Sequence, residues 1–310
     1  MCGNNLIYSQ LMEGDIDMPA NANGPLKPVL MTQDVGNAQL PYLLYEGRGP
    51  TLILLHATGF SPWLWHPIAR ELSPSYRIIA PYMCDYRIED PETGGLGWAK
   101  IARDVAALLR SIDVDGAFLV GHSMGATVCT IANAAHGVKA KGMVLIEPIL
   151  LHDDFYRVKI TIKDHPLASL AIKRRNYWKN ESEAMDYLRS RELFKKWNDE
   201  MLELYVSHGM EPKEGGGLQL VCKPEMEAGL FMGGAQYNPW PLLPLVSCPV
   251  LVLEGEHSDT KNFVDFKRIA SMLKKGSHAV VKDAGHLIPM EQPSTVAAVI
   301  NNFVNDIQSS

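Results

Sequence analysis

Apolar residues fall in short, unbroken runs along much of the chain. Thr51 to His56, Tyr76 to Ala80, Ala117 to Gly121, Gly142 to Ile146, Pro249 to Leu253 and His278 to Val281 are such runs. A strand with one solvated face alternates apolar and polar residues, so continuous runs point to strands covered on both faces of a parallel sheet. Between the runs the period changes to that of a helix. Trp98, Ile101, Ala102, Val105, Leu108, Leu109 and Ile112 make one apolar face. Thr127 to Ala135 is a second predicted helix, with Gly137 suited to its C-terminal cap. Phe263 to Leu273 is a third, ended by Gly276, and Val296 to Ile307 is a fourth, with Pro293 near its start. Strand and helix in alternation predict an α/β fold with a doubly wound, mostly parallel sheet.

The alternation stops at about residue 150 and resumes after about residue 240. The intervening stretch is charged, aromatic and helical in pattern, and is interrupted by Gly215-Gly216-Gly217. It is expected to be a mainly helical insertion (150–240) over one end of a sheet built from 31–149 and 241–310. Residues 1–30, rich in Asn, Gly, Pro and Met without periodicity, are expected to form a loose arm.

Composition narrows the function. The chain has 310 residues, 46% of them hydrophobic and 21% charged, which suits a globular protein with a sizeable core. A formal net charge of −6 argues against nucleic acid as a partner. No apolar run approaches the ~20 residues of a membrane span. The first residues lack the basic and apolar blocks of a secretion signal, and the 5 cysteines are widely spaced. Reduced thiols in a cytoplasmic protein are therefore expected. Neither G-x-G-x-x-G after the first strand nor a phosphate-binding G-x-x-x-x-G-K-[ST] is present, so no cofactor is expected. His152-Asp153-Asp154 reads as a solvated loop rather than a metal site. The sequence is silent on oligomeric state.

Chemistry enters with Gly121-His122-Ser123-Met124-Gly125, a G-x-S-x-G sequence between an apolar strand and a small-residue helix. A serine at such a corner takes a strained conformation that lifts its hydroxyl clear of the sheet. The small residues on either side permit close passage of helix and strand. Ser123 is the expected nucleophile. A serine needs a base, and His286, in Lys282-Asp283-Ala284-Gly285-His286 just past the last strand run, lies at the sheet end where a base must sit. The acid that orients the imidazole is expected to be Asp259, after the strand Val250 to Leu253, in the chain order Ser, Asp, His. Glu256 is a lesser candidate.

These segments resemble the α/β-hydrolase superfamily, in its subgroup with a helical lid. The likeness runs from about residue 40 to the C-terminus. It rests on Leu55-His-Ala-Thr-Gly-Phe60, the serine turn, Glu254-Gly-Glu-His-Ser-Asp259 and Ala284-Gly-His286, and extends to Arg174-Arg175 and to Cys222 through Ala228 in the insertion. The resemblance implies a serine hydrolase with a carboxylesterase-like Ser-His-Asp triad, and puts the family's histidine at His286. It keeps Glu147 as the rival acid, because some members carry that residue after the preceding strand. It also implies an oxyanion hole from two backbone amides, Met124 and Thr58, with Ala57 where glycine is usual. Phe60, Trp63 and Trp65, near that turn, are the expected substrate contacts. His56 and His122 would support the turn by hydrogen bonding. Lys173-Arg174-Arg175 reads as a solvated helix face. Pro81 to Arg87 lacks the glycines that many members carry there, which makes a bulkier loop. A serine rather than aspartate at the turn argues against relatives that use a carboxylate nucleophile. The expected substrate is a small or medium, largely apolar carboxylic ester. A C–C bond hydrolase acting on a β-diketone or ring-cleavage product would use the same triad, and a ligand-binding relative with little turnover is the reading outside enzymology.

Overall fold

A computed structural model describes residues 27–36, 38–84, 87 and 89–309. The loose arm foreseen at 1–30 falls outside them up to residue 26, and its last two residues, Val29 and Leu30, open a strand. Among the described residues an eight-stranded sheet runs in the order β1-β2-β4-β3-β5-β6-β9-β10. Its strands are β1 (Val29–Asp34), β2 (Gln39–Tyr45), β3 (Thr51–Leu55), β4 (Arg77–Pro81), β5 (Ala117–His122), β6 (Ala140–Ile146), β9 (Val250–Gly255) and β10 (Gly276–Val281). From β4 to β10 every pairing is parallel, while β1 and β2 pair antiparallel at one edge. The six apolar runs are the six parallel strands. β1 carries no such run, while β2 runs apolar from Leu40 to Tyr45 with Pro41 inside it, and the sequence reading missed both.

The continuous apolar runs have the predicted cause. On β3, Ile53 and Leu55 point to one side of the sheet and Leu52 and Leu54 to the other, and all four are fully buried. The first side packs on α2 (Trp98–Ser111), α3 (Met124–His136) and α8 (Phe266–Met272), through Ile101, Val105, Val128, Ile131 and Ile269. The second packs on α1 (His66–Leu72) and α10 (Pro293–Gln308), through Ile68, Leu72, Val296, Ile300 and Val304.

Between β6 and β9 the chain leaves the sheet. The insert holds helices α4 (Pro166–Ala171), α5 (Glu181–Arg189), α6 (Asp199–Gly209) and α7 (Pro224–Gly233), and a two-stranded antiparallel ribbon of β7 (Met210–Pro212) and β8 (Leu218–Leu220). Gly215, Gly216 and Gly217 form the ribbon's turn, with φ of 86°, 101° and 81°, a region where side chains are strained. A short helix, α9 (Ile288–Glu291), precedes α10.

The approach of α3 to β3 depends on a missing side chain. A Cβ on Gly125 would stand 2.2 Å from the Leu55 carbonyl oxygen and 2.7 Å from that of His56. Neither backbone atom can retreat without disturbing the strand. Gly125→Ala should therefore lower stability by about 3 kcal/mol, at the upper end of overpacking costs. A urea titration checks this, and an unchanged midpoint would mean that helix and strand have room to separate.

Candidate active site

Parallel neighbours in a sheet deliver the loops after their carboxyl ends to one place. Here β3, β5, β6, β9 and β10 are consecutive neighbours. Thr58 follows β3, Ser123 follows β5, Glu147 follows β6, Ser258 and Asp259 follow β9, and His286 follows β10.

Ser123 sits between β5 and α3 with φ 54° and ψ −117°, a sparsely populated conformation for a residue with a side chain. The turn is over-determined. The Ser123 amide donates to the Ile146 carbonyl at 2.9 Å, and the Ser123 carbonyl accepts from the amides of Ala126 (3.1 Å) and Thr127 (3.3 Å). A Cβ on Gly121 would meet Gly125 backbone at 2.4 Å, which is why glycine stands two before the serine as well as two after.

The Ser123 Oγ lies 3.2 Å from His286 Nε2. The other ring nitrogen, Nδ1, lies 3.0 Å from Glu147 Oε2 and 3.0 Å from Thr260 Oγ1. An ionised carboxylate only accepts, so Nδ1 carries the proton and Nε2 offers its lone pair to the serine hydroxyl. Glu147 is fully buried and is held from two more directions. Its Oε1 accepts from the Gly255 amide at 2.6 Å, and its Oε2 accepts from Ser258 Oγ at 2.7 Å. Three donors around one buried carboxylate offset the cost of taking its charge out of water.

The carboxylate expected from the sequence is not there. Asp259 is exposed and opens a 3-10 turn, Asp259–Asn262. That turn is capped by Ser258, whose oxygen accepts from the Thr260 amide while its hydroxyl donates to Glu147. The capping geometry turns Ser258 and Thr260 inward and Asp259 outward. Glu256 is exposed as well, its carboxylate accepting from the Asp283 amide.

Two histidines brace the site. His122 Nε2 donates to the His286 carbonyl at 2.9 Å, which ties the residue before the serine to the loop that carries the imidazole. Burial, and then the neighbouring His286, pull His122 down to about 3, so it stays neutral at physiological pH. Its Nδ1 is buried without a partner. His56 Nε2 accepts from the Met83 amide at 2.9 Å, which leaves its Nδ1 proton to donate to the Ala57 carbonyl at 2.8 Å. That carbonyl also accepts from the Phe60 amide at 3.3 Å, closing the turn that contains Thr58 and Gly59. Met124 is the first residue of α3, so its amide has no partner within the helix.

The three aromatics differ in placement. Phe60 and Trp63 are half-buried, and both meet the insert. Phe60 packs edge-on against Trp197 and Tyr205, at centroid distances of 5.4 and 5.9 Å. Trp63 stacks on His208 at 3.7 Å and donates to Tyr82 Oη at 2.9 Å. Trp65 is only 2% exposed and belongs to the core with Leu64 and Ile68, because the turn of 3-10 helix at Pro62–Trp65 rotates it beneath the sheet's flank. It is a packing residue, contrary to the sequence expectation.

The basic triplet is also not a solvated face throughout. Lys173 is exposed, but Arg174 pairs with Glu227 and Arg175 pairs with Glu183. Asp153 of the acidic triplet contacts Asn238 at 3.2 Å and Arg268 at 3.3 Å, and Asp154 is exposed. In the loop after β4, Asp85 and Tyr86 lie outside the described residues, while Met83 and Cys84 are buried. Among the described residues no helix is long and apolar enough to cross a membrane.

A hydroxyl, an imidazole and a carboxylate in line at the carboxyl edge of a parallel sheet form the constellation of serine hydrolases. The chain belongs to the alpha/beta hydrolase family, which it matches over residues 52–299. Two of its relatives are named hydrolases. It is 22% identical to a 2-(acetamidomethylene)succinate hydrolase of Mesorhizobium japonicum, over 84% of this chain and 90% of that one. It is 26% identical to carboxylesterase YbfK of Bacillus subtilis, over 82% of this chain and 80% of that one. Among solved structures, E-2-(acetamidomethylene)succinate hydrolase is similar with a TM-score of 0.76 and 21% identity, covering 90% of this chain and 99% of that one. A thioesterase domain from the curacin biosynthetic pathway is similar with a TM-score of 0.71 and 15% identity, covering 88% and 99%. At these identities the structural likeness concerns the fold.

Proposed function

We propose that this hydrolase cleaves small or medium, largely apolar carboxylic esters through an acyl-enzyme, with a Ser-His-Glu triad. The observation that carries the reading is the unbroken chain Ser123 Oγ, His286, Glu147, with contacts of 3.2 and 3.0 Å. His286 takes the Ser123 proton as the oxygen attacks the carbonyl carbon. Glu147 holds the imidazole in the tautomer that leaves Nε2 unprotonated and then stabilises the imidazolium. The former carbonyl oxygen, now negative, is received by the amides of Thr58 and Met124. His286 gives its proton to the departing alkoxide, and the alcohol leaves. Water then enters and attacks the acyl carbon as His286 removes its proton, and His286 returns that proton to Ser123 Oγ as the Oγ–acyl bond breaks and the acid leaves. The insert serves as a lid, and Phe60 and Trp63 face the substrate's apolar part. The kinship with a carboxylesterase supports the ester reading, and the kinship with a hydrolase of an acetamidomethylene succinate supports testing other carbonyl substrates beside it.

The test is a panel of p-nitrophenyl acetate, butyrate and octanoate beside vinylogous β-diketones and an N-acyl enamine diacid, run after fluorophosphonate labelling. The expected result is labelling of the wild type and fastest turnover of short esters. Turnover of the diketones with inert esters would replace the ester reading by C–C bond hydrolysis. Tight binding of one ligand with no turnover would replace it by the binding reading.

A further inference from the structure

The turn that carries Thr58 is held from beneath by the core and from above by the insert. Beneath, the Ala57 carbonyl is tied by the amide of Phe60 and by His56 Nδ1, with the Cys84 sulfur 4.0 Å from the same oxygen. Nearest above Gly59 lies the side chain of Glu227 on α7. A Cβ on Gly59 would stand 2.5 Å from Glu227 Oε1, 2.9 Å from its Cδ and 3.2 Å from its Cγ. Gly59 has φ 75°, so glycine is required for the turn. The same absence of a side chain lets the Glu227 chain lie flat against the backbone.

Glu227 is itself clamped. Arg174, from the segment after α4, reaches Glu227 Oε2 at 2.5 Å and Tyr205 Oη of α6 at 2.9 Å. The side chains of Arg174 and Glu227 are 23% and 12% exposed, so this ion pair is largely out of water. Burial pushes the Glu227 carboxyl up, opposed by the Arg174 charge. Tyr205 in turn packs edge-on against Phe60, the residue after Gly59. The cluster therefore touches the turn at two successive residues and joins it to two helices of the insert. A buried ion pair is weak evidence of stabilisation, and the glycine contact suggests another purpose for this one.

We propose that Glu227 is a positioning residue: its side chain, anchored by Arg174, presses on Gly59 and holds closed the turn that aims the Thr58 amide, so that the oxyanion hole is complete only when the insert is seated. The inference rests on the oxyanion role proposed for Thr58. A glycine-containing turn is soft, and an amide tilted by a few tens of degrees loses most of its hydrogen bond. Because oxyanion donors act on charge that develops in the transition state, the cost should fall on kcat and spare KM.

The test separates reach from charge. Glu227→Asp keeps the charge for Arg174 but withdraws by one methylene from Gly59. Glu227→Gln keeps the length and an acceptor for Arg174 while removing the charge. The expected result is a fall in kcat of about 10-fold or more for Glu227→Asp with KM within about 3-fold, and a kcat within about 3-fold of wild type for Glu227→Gln. Affinity for a trifluoromethyl ketone, whose adduct places an oxyanion in the hole, should fall in parallel with kcat in Glu227→Asp. A merely structural ion pair predicts the reverse order, with Asp tolerated and Gln impaired, and that order would overturn the proposal. Wild-type kcat in both variants would overturn it too. If fluorophosphonate labels wild type and Ser123→Ala equally, it is the serine-hydrolase reading that fails.

Discussion

Ser123→Ala should lower kcat by about 10⁴-fold or more and abolish fluorophosphonate labelling, while the protein stays folded and still binds substrate. The loss follows from the chemistry, because among the described residues no other hydroxyl is placed on His286 Nε2, which has Ser123 Oγ at 3.2 Å. The amides of Thr58 and Met124 and the walls of the site survive the change, so a residual rate above that of free solution is expected, and KM should move by no more than about 3-fold. Stability should change little, within about 1 kcal/mol, because the hydroxyl carries none of the backbone bonds that hold the turn. A thermal melt beside the kinetics settles whether lost activity is lost chemistry. Retained turnover in the alanine variant would move the nucleophile elsewhere and remove the reason for the triad.

How much of this was legible beforehand follows from the range of the forces involved. Runs such as Leu52 to Leu55 and Met143 to Ile146 could be read as sheet strands because burial on both faces demands apolar residues at every position. The corner at Ser123 was legible because sterics between adjacent backbones leave glycine as the choice at 121 and 125. β1 was not, since an edge strand tolerates polar residues and it exposes Val29 and Leu30; β2 is buried on both faces, but Pro41 inside its run weakens the strand signal. Trp65 was misjudged for a related reason. Nearness in sequence to the turn at Thr58 says nothing of rotation, and one turn of 3-10 helix sends Trp63 toward the insert and Trp65 into the core. The Arg174–Glu227 pair joins residues far apart in the chain, and no local pattern distinguishes a buried arginine from the exposed Lys173 beside it.

The acid is the sharpest case, and it yields the second large effect. Glu147→Gln should lower kcat by about 10³–10⁴-fold, whereas Asp259→Asn should leave it within about 2-fold. Both residues follow a parallel strand, so chain order and spacing favoured neither on physical grounds. Two local features could have decided it. Glu147 directly follows four apolar residues of a strand that neighbours the serine strand, so it begins its turn already inside the protein. Ser258, directly before Asp259, is a good cap for the following turn, and a capped turn sends its next side chain outward. In the folded protein Glu147 accepts from Gly255 through Oε1 and from Ser258 and His286 through Oε2, and the last two donors would face the wrong group if an amide nitrogen took the place of Oε2. The imidazole would then turn its protonated nitrogen to Ser123, and the serine would lose its base. Gln at 147 also leaves a buried donor facing Ser258, at a cost of about 1–3 kcal/mol in stability, so the comparison must be made on folded protein well below its melting temperature. Near-equal activity of Glu147→Gln and wild type, with loss in Asp259→Asn, would return the role to the exposed carboxylate and would require the turn at 258–262 to invert during turnover.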